Sequence, residues 1–129
     1  MFSQQKQILL IAPNAAPFKE ALNPFVSQGF EINNVANLND ALKKLDPTKP
    51  PSLIILGLEF SDVQEMRHAC MQILNVCALT NIAVVSNIDK DTLHDALEGL
   101  GTLGVLSLTP TEEEGSCLLK KLQRICKSL

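Results

Sequence analysis

Residues 51–60 read PSLIILGLEF. Every residue from Leu53 to Leu58 is apolar or Gly, with Pro50-Pro51 before the run and Ser61-Asp62 after it. A strand with one wet face would alternate. A short run that is apolar at every position reads as a strand covered on both faces, as in a parallel sheet. Ligands of such sheets meet the carboxyl ends of the strands. At that end this strand offers Gly57, a position with no side chain.

Four more strands extend from it. Ile8–Ala12 (ILLIA) and Ile82–Ser86 (IAVVS) are also continuous apolar runs and read as central strands. Phe30–Ala36 (FEINNVA) alternates only in part and Val105–Leu108 (VLSL) is short, so both are placed at sheet edges. Helical spacing fills the intervals. Phe18, Leu22, Phe25 and Val26 form one buried face, with Asn14 as cap, Pro17 in the first turn, Pro24 shortening or kinking the helix near Glu20, and Gly29 closing it. Asn37 caps a helix bearing Leu38, Ala41, Leu42 and Leu45, and DPTKPP (46–51) is a loop. Ser61 with Gln64 reads as a capping box before Val63, Met66, Cys70, Ile73 and Cys77. Asp89 or Asp91 caps a short helix with Leu93, Ala96, Leu97 and Leu100, ended by Gly99 and Gly101. Thr111 with Glu114 is a second capping box, ahead of a helix whose inner face is Leu118, Leu119, Leu122, Ile125 and Cys126. Five β-α units in alternation imply an α/β fold: a doubly wound five-stranded parallel sheet, order 2-1-3-4-5, with five helices on two faces.

Composition bounds the function. The 129 residues make one domain, with 46% apolar residues, five Phe, and neither Trp nor Tyr. A net charge of −3 with mixed signs gives no basic footprint for nucleic acid. No apolar run nears the about 18 residues of a membrane span, and MFSQQKQ shows no secretory apolar region. Cys70, Cys77, Cys117 and Cys126 have neither CxxC nor zinc spacing. They read as buried or half-buried thiols in a reducing cytoplasm, without disulfides. His68 and His94 fall on different helices, outside any triad spacing, and are expected at the surface. APNAAPF after the first strand holds no Gly, so a nucleotide phosphate loop is absent. No metal or cofactor is expected, and no residue constellation supports an enzyme.

Together ILLIAPN, PSLIILGLEF, NIAVVSN and GTLGVLSLTP resemble, over nearly the whole chain, the receiver domain of bacterial response regulators in two-component signalling. The resemblance implies a flavodoxin-like three-layer sandwich and places a phosphorylation site on named positions. The acidic pair that binds Mg²⁺ after the first strand corresponds to Ala12-Pro13. The phosphoacceptor Asp corresponds to Gly57. The Lys after the fifth strand corresponds to Leu108 or Thr109, before Pro110. Only the hydroxyl ending the fourth strand is kept, as Ser86. Mg²⁺ needs hard oxygen ligands, phosphoryl capture needs a carboxylate, and the phosphoryl oxygens need a cation. All three parts are missing, so the chain resembles a pseudo-receiver without the aspartyl-phosphate switch.

Two functions remain open at this stage. The first is a non-catalytic docking module, phosphorylation-independent, binding a protein such as a signalling kinase or an output protein, or a second copy of itself. Receivers dock through the fourth helix, fifth strand and fifth helix, here Thr92–Leu129, with His94, Glu98, Leu103, Val105, Lys121 and Arg124 as candidate contacts. The weakly polar edge strand and GTLG loop fit such a face. No further domain is expected beyond Leu129. The second is an atypical domain that binds a small ligand or still answers phosphoryl signals in the strand-end crevice, at Asn14, Glu59, Ser86, Asn87 and Thr109. Gly in place of Asp would open space for that ligand.

Overall fold

A computed structural model of the chain describes residues 6–60, 62–78 and 80–125. The elements are β1 (Gln7–Ile11), a 3₁₀ turn (Ala16–Phe18) leading into α1 (Lys19–Ser27), β2 (Glu31–Val35), α2 (Leu38–Lys44), β3 (Leu53–Leu56), α3 (Val63–Val76), β4 (Ile82–Val85), α4 (Lys90–Ala96), β5 (Gly104–Leu106) and α5 (Glu112–Ile125). All strand pairs are parallel, in the order β2-β1-β3-β4-β5. The expected sheet is therefore the observed one.

The strands explain their own runs. Every residue of β3 and of β4 is buried. Successive side chains point to opposite faces, so each strand feeds two cores. Ile8, Leu10, Leu53, Ile55, Ala83 and Val85 pack beneath α1 and α5 with Phe18, Phe25, Leu118 and Leu122. Leu9, Ile11, Ile54, Leu56, Ile82 and Val84 pack beneath α2, α3 and α4 with Met66, Cys70, Ile73 and Leu93. On the first face α1 and α5 also pack on each other. A β-carbon on Gly115 would overlap the Ala21 carbonyl oxygen and stand 2.7 Å from its carbon. Phe25 and Phe30 meet edge to face, ring centroids 5.5 Å apart.

Several local expectations are corrected. The strands are shorter than their apolar runs: β3 ends at Leu56 and β5 at Leu106, which leaves Leu108 and Thr109 exposed in the β5–α5 loop. Val26 is 55% exposed and Ile125 61% exposed, so neither joins the core. Each sits one position around its helix from the buried stripe. Cys117 is exposed on α5, whereas Cys70 and Cys77 are buried; Cys126 lies outside the described residues. Asn14 accepts from the Ala16 N–H and so caps the 3₁₀ turn rather than α1. That turn delays α1 to Lys19, which puts the carbonyl denied a donor by Pro24, that of Glu20, in the helix's exposed first turn. For α3 the cap is Asp62, whose Oδ1 accepts from the Glu65 N–H at 2.8 Å; the Ser61 half of the expected box lies outside the described residues. Asn37 and Thr111 cap α2 and α5 as expected. Of the two candidates for α4, Asp89 is the cap. Gly99 and Gly101 follow α4 with φ of +86° and +66°, a region that suits Gly.

Candidate functional site

The carboxyl ends of β1, β3 and β4 form the floor of a crevice. Gly57 continues β3 and donates its N–H to the Ile11 carbonyl at 2.8 Å. By the two-residue alternation of β3 it belongs with Leu53 and Ile55, on the α1 side. There a β-carbon would stand 2.8 Å from Phe18 Cζ and 3.3 Å from Ala12 Cβ. The floor is thus filled by the buried Phe18 ring, delivered by the 3₁₀ turn, and by buried Ala12. A β-carbon at Gly57 would therefore press on the tip of the Phe18 ring, while Gly57 itself lines the crevice above.

The open space lies above that plug. A crevice of about 600 Å³ is lined by Pro13, Asn14, Pro17, Phe18, Leu38, Gly57, Leu58, Glu59, Phe60, Glu65, Val85 and Leu108. A second hollow of about 400 Å³ adds Met66, Ser86, Asn87 and Ile88 and shares Leu58, Glu59, Phe60, Val85 and Leu108. Asn14, Glu59, Ser86 and Asn87 are therefore brought to adjoining hollows, while exposed Thr109 lines neither. Leu108 stands in its place as a wall, 50% exposed. The Asn14 carboxamide is turned to the Ala16 N–H, and the Ser86 hydroxyl accepts from the Ile88 N–H at 3.0 Å. Each thus accepts one hydrogen bond from its own loop and keeps its donor side. Among the described residues no three His, Cys, Asp or Glu side chains gather as a metal site.

The β5–α5 loop is held by one carboxylate. Glu114 Oε1 accepts from the Ser107 N–H at 2.9 Å, and Oε2 accepts from the Ser107 hydroxyl at 2.9 Å and the Thr111 N–H at 2.8 Å. Partial burial pushes the Glu114 carboxyl up, but these donors from Ser107 and Thr111 outweigh it and hold it below its ordinary value. Leu108, one residue after Ser107, is placed over the crevice by this latch.

A separate groove of about 440 Å³ runs between α4, β5 and α5, lined by Asp91, Leu93, His94, Leu97, Thr102, Leu103, Gly104, Val105 and Lys121. Of the six candidate contact residues, His94, Leu103, Val105 and Lys121 meet here. Glu98 and Arg124 are exposed outside its lining. Val105 on the edge strand is 39% exposed. Arg67 of α3 donates to the carbonyls of Ala96 and Glu98, at 2.8 and 3.1 Å, and so ties the end of α4 to the body. His68 is exposed on α3, as expected.

No protein-family model matches the chain, and no curated protein does. Solved structures do. A two-component response regulator from Clostridium difficile superposes with a TM-score of 0.71 at 21% identity, over 93% of this chain and 97% of that one. The N-terminal domain of a response regulator/sensory box/GGDEF three-domain protein from Carboxydothermus hydrogenoformans gives 0.70 at 13% identity, over 95% and 97%. A putative pilus assembly protein from Burkholderia thailandensis gives 0.70 at 12% identity, over 92% and 98%. The chain has the receiver fold.

On that fold the sequence did not single out three residues that shape the site. Phe18 reads as an ordinary core position of α1; only the pairing of β3 parity with the 3₁₀ turn shows it as the plug. Leu38 reads as helix core yet lines the crevice. Asn34 donates its amide to the Leu10 and Ala12 carbonyls at 3.0 and 3.1 Å, fixing the end of β1 from the edge strand. A second Asn in a weak strand was the available signal.

Proposed function

We propose that the chain is a phosphorylation-independent, non-enzymatic signalling module on the receiver fold, acting by protein docking. The observation that carries this is the packing of the Phe18 ring where a Gly57 β-carbon would be. The reading then needs more than one lost side chain. An Asp restored at Gly57 would bring its β-carbon within 2.8 Å of the Phe18 ring tip, which would have to shift, and Ala12-Pro13 would still supply no carboxylate for Mg²⁺. The hydroxyl retained at Ser86 is engaged by its own loop.

Docking is assigned to the α4–β5–α5 face, where an apolar floor of Leu93, Leu97, Leu103 and Val105 is flanked by His94 and Lys121. A signalling kinase, an output protein or a second copy of the chain is the class of partner. Two experiments test the reading. Exposure to acetyl phosphate or beryllofluoride with Mg²⁺ should leave the mass unchanged and the amide resonances of Ala12–Asn14, Gly57 and Ser86 unmoved. A stable Mg²⁺-dependent adduct would overturn it. Joint Lys121→Glu and Arg124→Glu should abolish self-association or partner capture in a protein that still melts cooperatively; unchanged assembly removes this face from the proposal.

A further inference from the structure

The crevice above the Phe18 plug has a chemistry of its own. Its volume of about 600 Å³ falls among small-molecule sites, which run from roughly 300 to 1,000 Å³. Its walls are the prolines 13 and 17, the rings of Phe18 and Phe60, and the side chains of Leu38, Leu58 and Leu108. Among the described residues its charged lining consists of Glu59 and Glu65, with no Lys, Arg or His. The helix starts around it carry both signs, with Lys19 opening α1 and Lys90 opening α4. Asp40, Glu65, Asp91 and Glu112 stand in the first turns of α2 to α5, where the helix dipole favours acids. In a β-α unit those turns follow the strand ends that floor the crevice. Lys43, Lys44 and Arg124 occupy last turns, at the opposite end.

We propose that this crevice is a binding site for a small organic cation: an apolar body seated among Leu38, Phe60 and Leu108, with an ammonium-type head near Glu59 and Glu65. An apolar body gains by leaving water, and a cation gains from carboxylates and from the faces of aromatic rings. An anion would be repelled by Glu59 and Glu65. The site is preformed: the wall residue Leu108 follows Ser107, which Glu114 fixes by two hydrogen bonds. The inference goes beyond the docking reading. It shares only the premise that no phosphoryl chemistry occupies this end, and the labelling experiment above tests that premise alone.

The test uses three probes with one body and different heads: 2-phenylethylammonium, 2-phenylethanol and 3-phenylpropionate. Each is titrated into the full chain and followed by NMR on the leucine methyls and the Phe60 ring. The cation should bind roughly fivefold more tightly than the alcohol, the advantage of a partly exposed ion pair worth about 1 kcal/mol. The propionate should bind more weakly than either. Glu59→Gln with Glu65→Gln, two exposed positions, should bring the cation down to the alcohol and leave the alcohol unchanged. Leu108→Ser should weaken all three. Equal affinities, a cation preference that survives the double Gln variant, or shifts centred away from Leu38, Leu58 and Leu108 would each overturn the site.

Discussion

The two faces of the sheet are built differently. Beneath α1 and α5 the packing is close to the backbone: Gly115 lies against the Ala21 carbonyl, and three Phe fill the space below. Beneath α2, α3 and α4 the core is aliphatic, with Met66 and Cys70, and the flanking helices α2 and α4 have seven residues each. Each of these brings one fully buried side chain, Ala41 and Leu93. The first face therefore packs close to the backbone and supplies the Phe18 ring that meets Gly57. The second face carries α4, which borders the candidate docking groove, and the α2 and α3 residues that wall the crevice. The ring that meets Gly57 thus comes from the α1 side, while the crevice and the α4–β5–α5 groove are bordered mainly from the other.

The largest expected effect comes from wedging the tight face. Gly115→Val places branched carbons into the Ala21 carbonyl, with backbone on both sides and no flexible side chain to yield. Even Gly115→Ala should cost at least the ~3 kcal/mol at the upper end for overpacking, and Gly115→Val should leave little folded protein. Circular dichroism melts check this. By contrast Cys70→Ala, on the other face, removes one buried sulfur and should cost no more than about 2 kcal/mol. Equal losses would break the comparison.

Next comes the plug. Phe18→Ala should destabilise by about 3–5 kcal/mol. Gly57→Ala alone should also destabilise, by about 1–3 kcal/mol, because its β-carbon meets the ring. In Phe18→Leu the same Gly57→Ala change should cost at least about 1 kcal/mol less, since the ring carbons it meets are gone. Urea unfolding of the four-member cycle measures the coupling. Strict additivity would mean that Gly57 is not shaped by Phe18.

How legible was this in the sequence? The sheet was, because a run apolar at every position, as in Leu53–Leu56, has few other homes, and because Asn37, Asp89 and Thr111 act within one helical turn of their own positions. The exceptions share a cause. Leu108 ends the VLSL segment without pairing, Val26 and Ile125 sit a step around a helix from its buried stripe, and Cys117 has no nearby pattern to mark it as exposed. In each case composition is local while burial depends on the neighbouring element. The crevice was half legible. Asn14, Glu59, Ser86 and Asn87 follow strand ends, so their placement could be read. The contact of the Phe18 ring with Gly57 joins two segments about 40 residues apart in sequence, a contact between elements that no single stretch encodes.

A smaller effect concerns the latch between the two regions. Glu114→Gln keeps the length but loses acceptor strength toward the N–H groups of Ser107 and Thr111, and should cost about 1–2 kcal/mol. The pH dependence has a definite sign. The folded-state pKa of Glu114 lies below its ordinary value of 4.5, so the unfolded chain takes up the proton first. The stabilisation is present above that ordinary value and is lost as pH falls through the folded pKa. Below pH 4.5 the gap in stability between wild type and Glu114→Gln should narrow, and above it the gap should stay constant. A gap that widens on acidification would mean that the carboxylate is not the acceptor seen here.

The smallest effect separates the faces by reactivity rather than stability. Burial pushes the Cys70 thiol up to about 11, so near neutral pH it is almost entirely protonated and shielded. Cys117 is exposed on α5, where the sequence had suggested a buried or half-buried thiol. Brief iodoacetamide treatment of the native chain at pH 8 should therefore modify Cys117, and Cys117→Ser should remove that modification with a change in stability within about 0.5 kcal/mol. Cys70→Ser should leave the native labelling pattern unaltered and cost more, because it exchanges a buried sulfur for a hydroxyl that needs a partner. If Cys70 were labelled as fast as Cys117, the α2–α4 face would be opening on the labelling timescale. The contrast between the faces would then be one of dynamics as well as packing.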